Sequence, residues 1–297
     1  KLYLKMPNLK DLKIRIDSVK STRKITKAMQ MVAAAKLRKA QESAERGRPY
    51  AEKMRGIVAN LANTATESGS VTNKFLMNND NPTKYLIIVA TAERGLCGGF
   101  NSSIVKLARL RISDLLKNNK NVKILTIGKK GREQLKRDYG SLFGEHVDLS
   151  SEKNLTFETA KNIATSIISN FEGDDFEVAE IFYNRFESVI SQIPSSFQIL
   201  PVEVSQQSSE QDNTNFDFEP DEEEILNELI PKSIATSIFS VLQENAASEQ
   251  GSRMAAMDNA TRNAGEMIDK LTIDYNRSRQ AAITNELIEI ISGAEAL

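Results

Sequence analysis

The sequence predicts an α/β protein: a long antiparallel coiled coil of the N- and C-terminal helices, carrying an inserted open α/β, Rossmann-like domain. Three observations predict it. An apolar stripe of helical period runs from Leu9 to about Leu61, with no Pro between Pro7 and Pro49. Strand and helix patterns alternate from about Lys84 to Val204. After Pro231, the remaining 66 residues contain no Pro. The expected division is a coiled-coil helix over 1–61, an α/β domain with an acidic loop over 62–220, and a second coiled-coil helix over 221–297.

In the first region Leu9, Leu12, Ile16 and Val19 open the stripe. Ile25, Met29 and Val32 continue it, with Ala28, Met31 and Ala35 in a parallel row. The pair Arg48-Pro49 predicts a bend, because proline disfavours helical geometry in the residue before it. In the second region KYLIIVAT is a continuous apolar run, expected of a strand buried on both faces. A glycine turn and a helix from Ser102 to about Leu116 follow it. VKILTIG is a second strand, with helices expected from about Lys130 and over Phe157 to Phe171; FEVAEIFYNRFESVI and SSFQILPVEV read as two more strands. The stretch from Gln206 to Glu224 is polar and acidic and reads as a surface loop ending in a helix N-terminus, where negative charge is favoured. A helix of 66 residues would reach about 100 Å. It must project from a compact domain, and it needs a partner for its stripe. The first helix is the available one.

Within this last helix the stretch SRMAAMDNATRNAGEMI places Met254, Met257, Ala260, Ala264 and Met267 three or four apart. It lacks the Leu, Phe, Trp and Tyr that usually anchor a core helix. From Gly251 to Leu297, Tyr275 is the only aromatic residue.

A net charge of −1 conceals an asymmetry. Residues 1–60 hold 16 Lys and Arg against 5 Asp and Glu, whereas residues 206–230 hold 9 acids and no base. Basic blocks can contact nucleic acid or membrane, but a solvated helix face is the ordinary reading. No run approaches 18 apolar residues, so no membrane-spanning helix is expected. A single cysteine, Cys97, excludes an internal disulfide.

Candidate chemistry is sparse. ERGLCGGFN, Glu93 to Asn101, joins a strand to a helix, as phosphate-binding loops do. Its spacing is G-x-x-G-G rather than G-x-G-x-x-G, and TIGKKG lacks the frame of a P-loop. A tight turn is the expected role, with Cys97 as a small packed thiol. His146, the one histidine, is expected in a surface loop. One Cys and one His argue against zinc, and no cofactor, metal or catalytic residue is assigned. The alternatives to a mechanical role are a coiled-coil scaffold with an α/β domain and an α/β enzyme with a helical dimerisation pair.

Three stretches carry a family resemblance: KITKAMQMVAAAKLRKAQ (Lys24 to Gln41), ERGLCGGFNSSI (Glu93 to Ile104) and RQAAITNELIEIISGAEAL (Arg279 to Leu297). Together they resemble the γ subunit of F-type ATP synthases along nearly the whole chain. The resemblance implies the central rotor shaft, which couples proton-driven rotation of a membrane ring to conformational cycling of catalytic β subunits. It implies no catalytic site of the chain's own. The implied partners are the α3β3 ring of F1, small central-stalk subunits of the epsilon or delta type, and the c-ring of Fo. No nucleic acid is implied, and membrane association comes only through the complex. The implied partner-contact residues are Met29, Arg253, Arg279, Gln280, Thr284 and Glu286. The lead KLYLK before Met6 points to a mature organellar chain on the matrix side of the mitochondrial inner membrane, with the cytoplasmic side of a bacterial plasma membrane as the alternative.

Overall fold

YLIIVA, Tyr85 to Ala90, is apolar without interruption because it becomes a central strand covered on both faces. In the computed structural model the elements are, in chain order, α1 (Leu9–Glu67), β1 (Lys84–Ala90), α2 (Phe100–Lys117), β2 (Asn121–Ile127), α3 (Lys129–Tyr139), a 3-10 turn (Gly140–Leu142), β3 (Phe143–Val147), α4 (Phe157–Glu172), β4 (Val178–Phe186), β5 (Gln192–Leu200) and α5 (Glu222–Glu295). The structure describes residues 8–67, 74–77, 79, 81–152, 155–202 and 222–295. Most of the acidic loop and the KLYLK lead lie outside them. The chain forms two compact units, one of residues 34–253 and one of residues 1–33 with 254–297.

The unit of residues 34–253 holds a five-stranded sheet of order β3-β2-β1-β4-β5. β1 pairs in parallel with β2 and β4, β2 in parallel with β3, and β5 antiparallel with β4. Alternation along β1 divides the core in two. Tyr85, Ile87 and Val89 pack with α2 residues Phe100, Ile104, Ala108 and Ile112, and with Leu135 of α3. Leu86, Ile88 and Ala90 pack with Ile163 and Ile167 of α4, Val58 and Leu61 of α1, and Ile230, Ile234 and Ile238 of α5. One stretch within Ile225–Ala294 is long and apolar enough by composition to cross a bilayer, but half of it is buried inside the protein. No run of 18 apolar residues exists there; the stretch is rich in Ile and Leu because α5 covers the sheet.

Several local expectations also change. His146 lies in β3, half-buried, with Nδ1 2.9 Å from Thr126 Oγ1. FGEHV does not alternate clearly, which hid an edge strand. β5 begins at Gln192 and ends at Leu200, before a cis peptide bond at Pro201. Pro49 does not end α1. It is exposed, as is Glu45, so the carbonyl left without its helical donor can turn to water.

The unit of residues 1–33 and 254–297 is an antiparallel helix pair. Leu12 and Ile16 of α1 pack with Leu271 of α5, with Val19 and Tyr275 alongside. Further along, Thr261 Oγ1 donates to Thr26 Oγ1 at 2.8 Å and Gln30 Nε2 donates to Asp258 Oδ1 at 2.8 Å. Met257, Ala264 and Leu271 are buried seven residues apart, with Thr261, Ile268 and Tyr275 half-buried between or beside them. This is a heptad seam. The phase of α1 differs from expectation: Thr26 and Ala33 are buried, while Ile25, Met31 and Val32 are 56–61% exposed. Met267 is likewise exposed at 47%. Thr26, Ala33 and Ala264 share the seam with Leu12, Ile16, Met257 and Leu271, while Ile25, Met31, Val32 and Met267 face outward.

Gly128, at φ +86, lets the chain leave β2 and enter α3. A Cβ there would overlap the carbonyl of Thr91. Gly128→Ala is expected to cost about 3 kcal/mol or more, combining backbone strain and overlap. Gly293→Ala, where an added Cβ meets nothing within 4 Å, serves as the control. Urea unfolding of the two variants checks this: the first midpoint should fall clearly and the second should stay close to that of the unsubstituted chain.

Candidate functional site

In an open α/β sheet the crevice for ligands lies beyond the carboxyl ends of the strands, where strand order reverses. Here that point is between β1 and β4, because β2 lies on one side of β1 and β4 on the other. The chain fills it with its own helix. Asn245 of α5 donates from Nδ2 to the Ala90 carbonyl of β1 at 3.2 Å and accepts at Oδ1 from the Asn184 N–H of β4 at 3.0 Å. One turn on, Ser248 Oγ donates to the Asn184 carbonyl at 2.9 Å. Asn184 Nδ2 donates to the Phe100 carbonyl at the start of α2 at 3.1 Å. Asn184, Asn245 and Ser248 are all buried, with Ser248 wholly so. Burial makes each of these bonds costly to lose.

The glycine-rich turn is held in the same way. Ser252 Oγ donates to the Cys97 carbonyl at 2.7 Å. Arg253 donates from Nη2 to the carbonyls of Arg94 and Gly95, both at 3.4 Å, and from Nη1 to Glu249 at 2.6 Å. The turn therefore presents carbonyl oxygens to α5. A phosphate would need N–H groups instead. The start of α3 is also satisfied from within. Glu93 Oε2 accepts from Lys129 N at 3.2 Å, the Ala92 carbonyl from Lys130 N at 3.1 Å, and Thr91 Oγ1 from Gly131 N at 2.8 Å. A carboxylate sits where an anion would bind, and its other oxygen accepts from Leu149 N at 2.7 Å.

Cys97 is buried, and Asn101 Nδ2 lies 3.2 Å from its sulfur. Burial pushes its thiol pKa up, and the Arg253 guanidinium only partly opposes this. His146 is engaged with Thr126 on β2. Among the described residues no group of three or more His, Cys, Asp or Glu is arranged to hold a metal ion.

The expected contact residues fall in different surroundings. Met29 is half-buried, next to the Gln30–Asp258 bond. Arg253 belongs to the unit of residues 34–253, and its side chain is only 13% exposed within its own set of bonds. Arg279, Gln280, Thr284 and Glu286 are exposed on α5. Gln280, Thr284, Leu287 and Ile291 form one stripe by helical spacing, and Arg279, Ile283, Glu286 and Ile290 form the next. Beyond Ala281, residues 282–294 are all exposed, including Ile283, Leu287, Ile288, Ile290 and Ile291 at 50–67%.

A family model described as ATP synthase matches residues 8–297. The ATP synthase gamma chain of Paracoccus denitrificans (strain Pd 1222) is 61% identical over 293 residues, covering 98% of this chain and 100% of its own length. The chain belongs to the ATP synthase gamma-chain family. The gamma chain of Jannaschia sp. (strain CCS1) is also 61% identical, over 297 residues, with the same coverage. Among solved structures, a chain of the Tetrahymena thermophila mitochondrial ATP synthase central stalk/c-ring superposes with a TM-score of 0.63 at 29% identity, covering 80% of this chain and 99% of its own. Gamma chains are the central rotor shaft of the synthase, and the fold read from the sequence agrees with that family.

The polar residues Asn184, Asn245, Ser248 and Ser252 were not singled out from the sequence. Their signal was present: Asn245, Ser248 and Ser252 recur at three and four residues on a helix whose buried stripe is otherwise apolar. In this gamma chain the environment of Cys97 has a direct consequence. Iodoacetamide labelling at pH 8 is expected to run at least about tenfold slower than for a free thiol, because the thiolate is scarce and covered. Addition of urea should restore the ordinary rate. Fast labelling of the folded chain, read by intact mass, would contradict this description of the turn.

Proposed function

We propose that this chain works as the shaft of a proton-transporting synthase by standing inside a ring of larger subunits. The observation that supports the reading is the end of α5, where residues 282–294 are exposed yet rich in Ile and Leu. A single short helix is marginal in water, and an exposed apolar stripe marks a surface that meets a partner. The α3β3 ring of F1 is that partner. Met29, Arg253, Arg279, Gln280, Thr284 and Glu286 face its β subunits, where charged and polar contacts bias successive states by about 1–3 kcal/mol without locking any of them. Aromatic anchors, which build interface hot spots of about 2 kcal/mol or more each, would bind one angle too well, and none stands in 282–294. The chain supplies no catalytic group, and ATP chemistry belongs to the β subunits.

The helices of 1–61 and 221–297 act as the shaft, and 62–220 as the head that meets the small epsilon- or delta-type subunits and the c-ring. The chain stays peripheral to the membrane. The bacterial sources of the gamma chains about 60% identical to it favour the cytoplasmic side of a plasma membrane over a mitochondrial location. The test is Ile283→Asp combined with Leu287→Asp. Both side chains are more than half exposed, so the free chain should keep its helix content and fold. Assembled with α and β subunits and Fo, it should lose ATP-driven proton pumping by about tenfold or more, as expected for charges placed at the centre of an apolar interface. Pumping at the unsubstituted rate would overturn the reading.

A further inference from the structure

A shaft must be gripped by its head, and the grip must resist turning as well as separation. Most of the interface between α5 and the sheet cannot do this. Leu226, Ile230, Ile234, Ile238 and Leu242 pack by apolar contact, which is non-directional. Such a face resists being pulled away, but it opposes a small rotation or slide of the helix only weakly. Hydrogen bonds differ, because their strength falls steeply with misalignment. The buried set at the strand ends is the directional part of this interface. Asn245 ties α5 to β1 and β4 together, at Ala90 and Asn184, and Ser248 adds a second tie to Asn184 one turn further on. Asn184 is itself fixed to α2 through the Phe100 carbonyl and Ser103. Rotation of α5 about its axis would break these bonds at once and leave buried polar atoms unpaired.

We propose that Asn245 and Ser248, through Asn184, are the positioning residues that carry torque between the sheet and α5. The inference rests on the shaft reading and goes beyond it by locating the joint. The two residues touch neither nucleotide nor proton path. They act by keeping the helix in register with the head while load is applied.

The experiment compares Ser248→Ala and Asn245→Leu in the assembled synthase, reconstituted into vesicles. Alanine keeps α5 helical and removes one hydroxyl, so the first variant tests the idea even if the second fails to assemble. ATP hydrolysis per assembled complex and ATP-driven proton pumping are measured against an increasing opposing proton gradient. Hydrolysis should stay within about twofold of the unsubstituted complex. Protons pumped per ATP should fall as the opposing gradient rises, by at least threefold at the highest load for Asn245→Leu and by less for Ser248→Ala. A cluster that serves packing alone would lower the yield of complex and leave the ratio unchanged at every load, and that result overturns the proposal. Failure of the shaft reading would look different: the unsubstituted chain would not assemble with α and β subunits or restore pumping at all.

Discussion

The length of α5 is the constraint on which the rest depends. Its 74 residues reach about 110 Å, whereas strands of seven to nine residues span no more than about 30 Å. One sheet can bury only part of such a helix. The chain therefore uses α5 in three ways. Its first part covers one face of the sheet, its middle forms a seam with α1, and its last turns carry exposed Ile and Leu. Each part has the side chains that its surroundings require: Ile and Leu on the sheet, Met, Ala and Thr in the seam, and mixed polar and apolar stripes at the end.

The same constraint explains why an α/β sheet of nucleotide-binding type is not arranged for nucleotide. The crevice at the strand-order reversal is occupied by Asn245 and Ser248, and the start of α3 is occupied by Glu93. The glycine-rich turn serves as a support for α5, with its carbonyls accepting from Ser252 and Arg253. A helix of the chain's own stands where such folds place a ligand. Fold alone would have pointed to the wrong chemistry.

Much of this was legible in the sequence, for identifiable reasons. β1 is a continuous apolar run, VKILTIG reads as a strand at β2, and α2, α3 and α4 begin within a few residues of their expected positions. Leu12, Ile16 and Val19 open the seam of α1 as expected, but from Ile25 on it was misread because hydrophobicity was taken as burial. In this pair Thr26 and Ala33 are inside and Ile25, Met31 and Val32 are outside. β3 was missed because its short edge strand carries Gly144 and Glu145. The polar joint was missed because its partners are backbone groups on β1 and β4, which no side-chain motif reports.

The most direct test of the central claim is the composition of the native assembly. The complex is extracted from membranes in mild detergent through a tag on this chain, weighed by native mass spectrometry, and assayed for ATP turnover. The shaft account predicts one copy of this chain with three copies each of two larger subunits, and ATPase activity in the same particle. A particle containing two copies of this chain, without larger subunits and without ATPase activity, would contradict it.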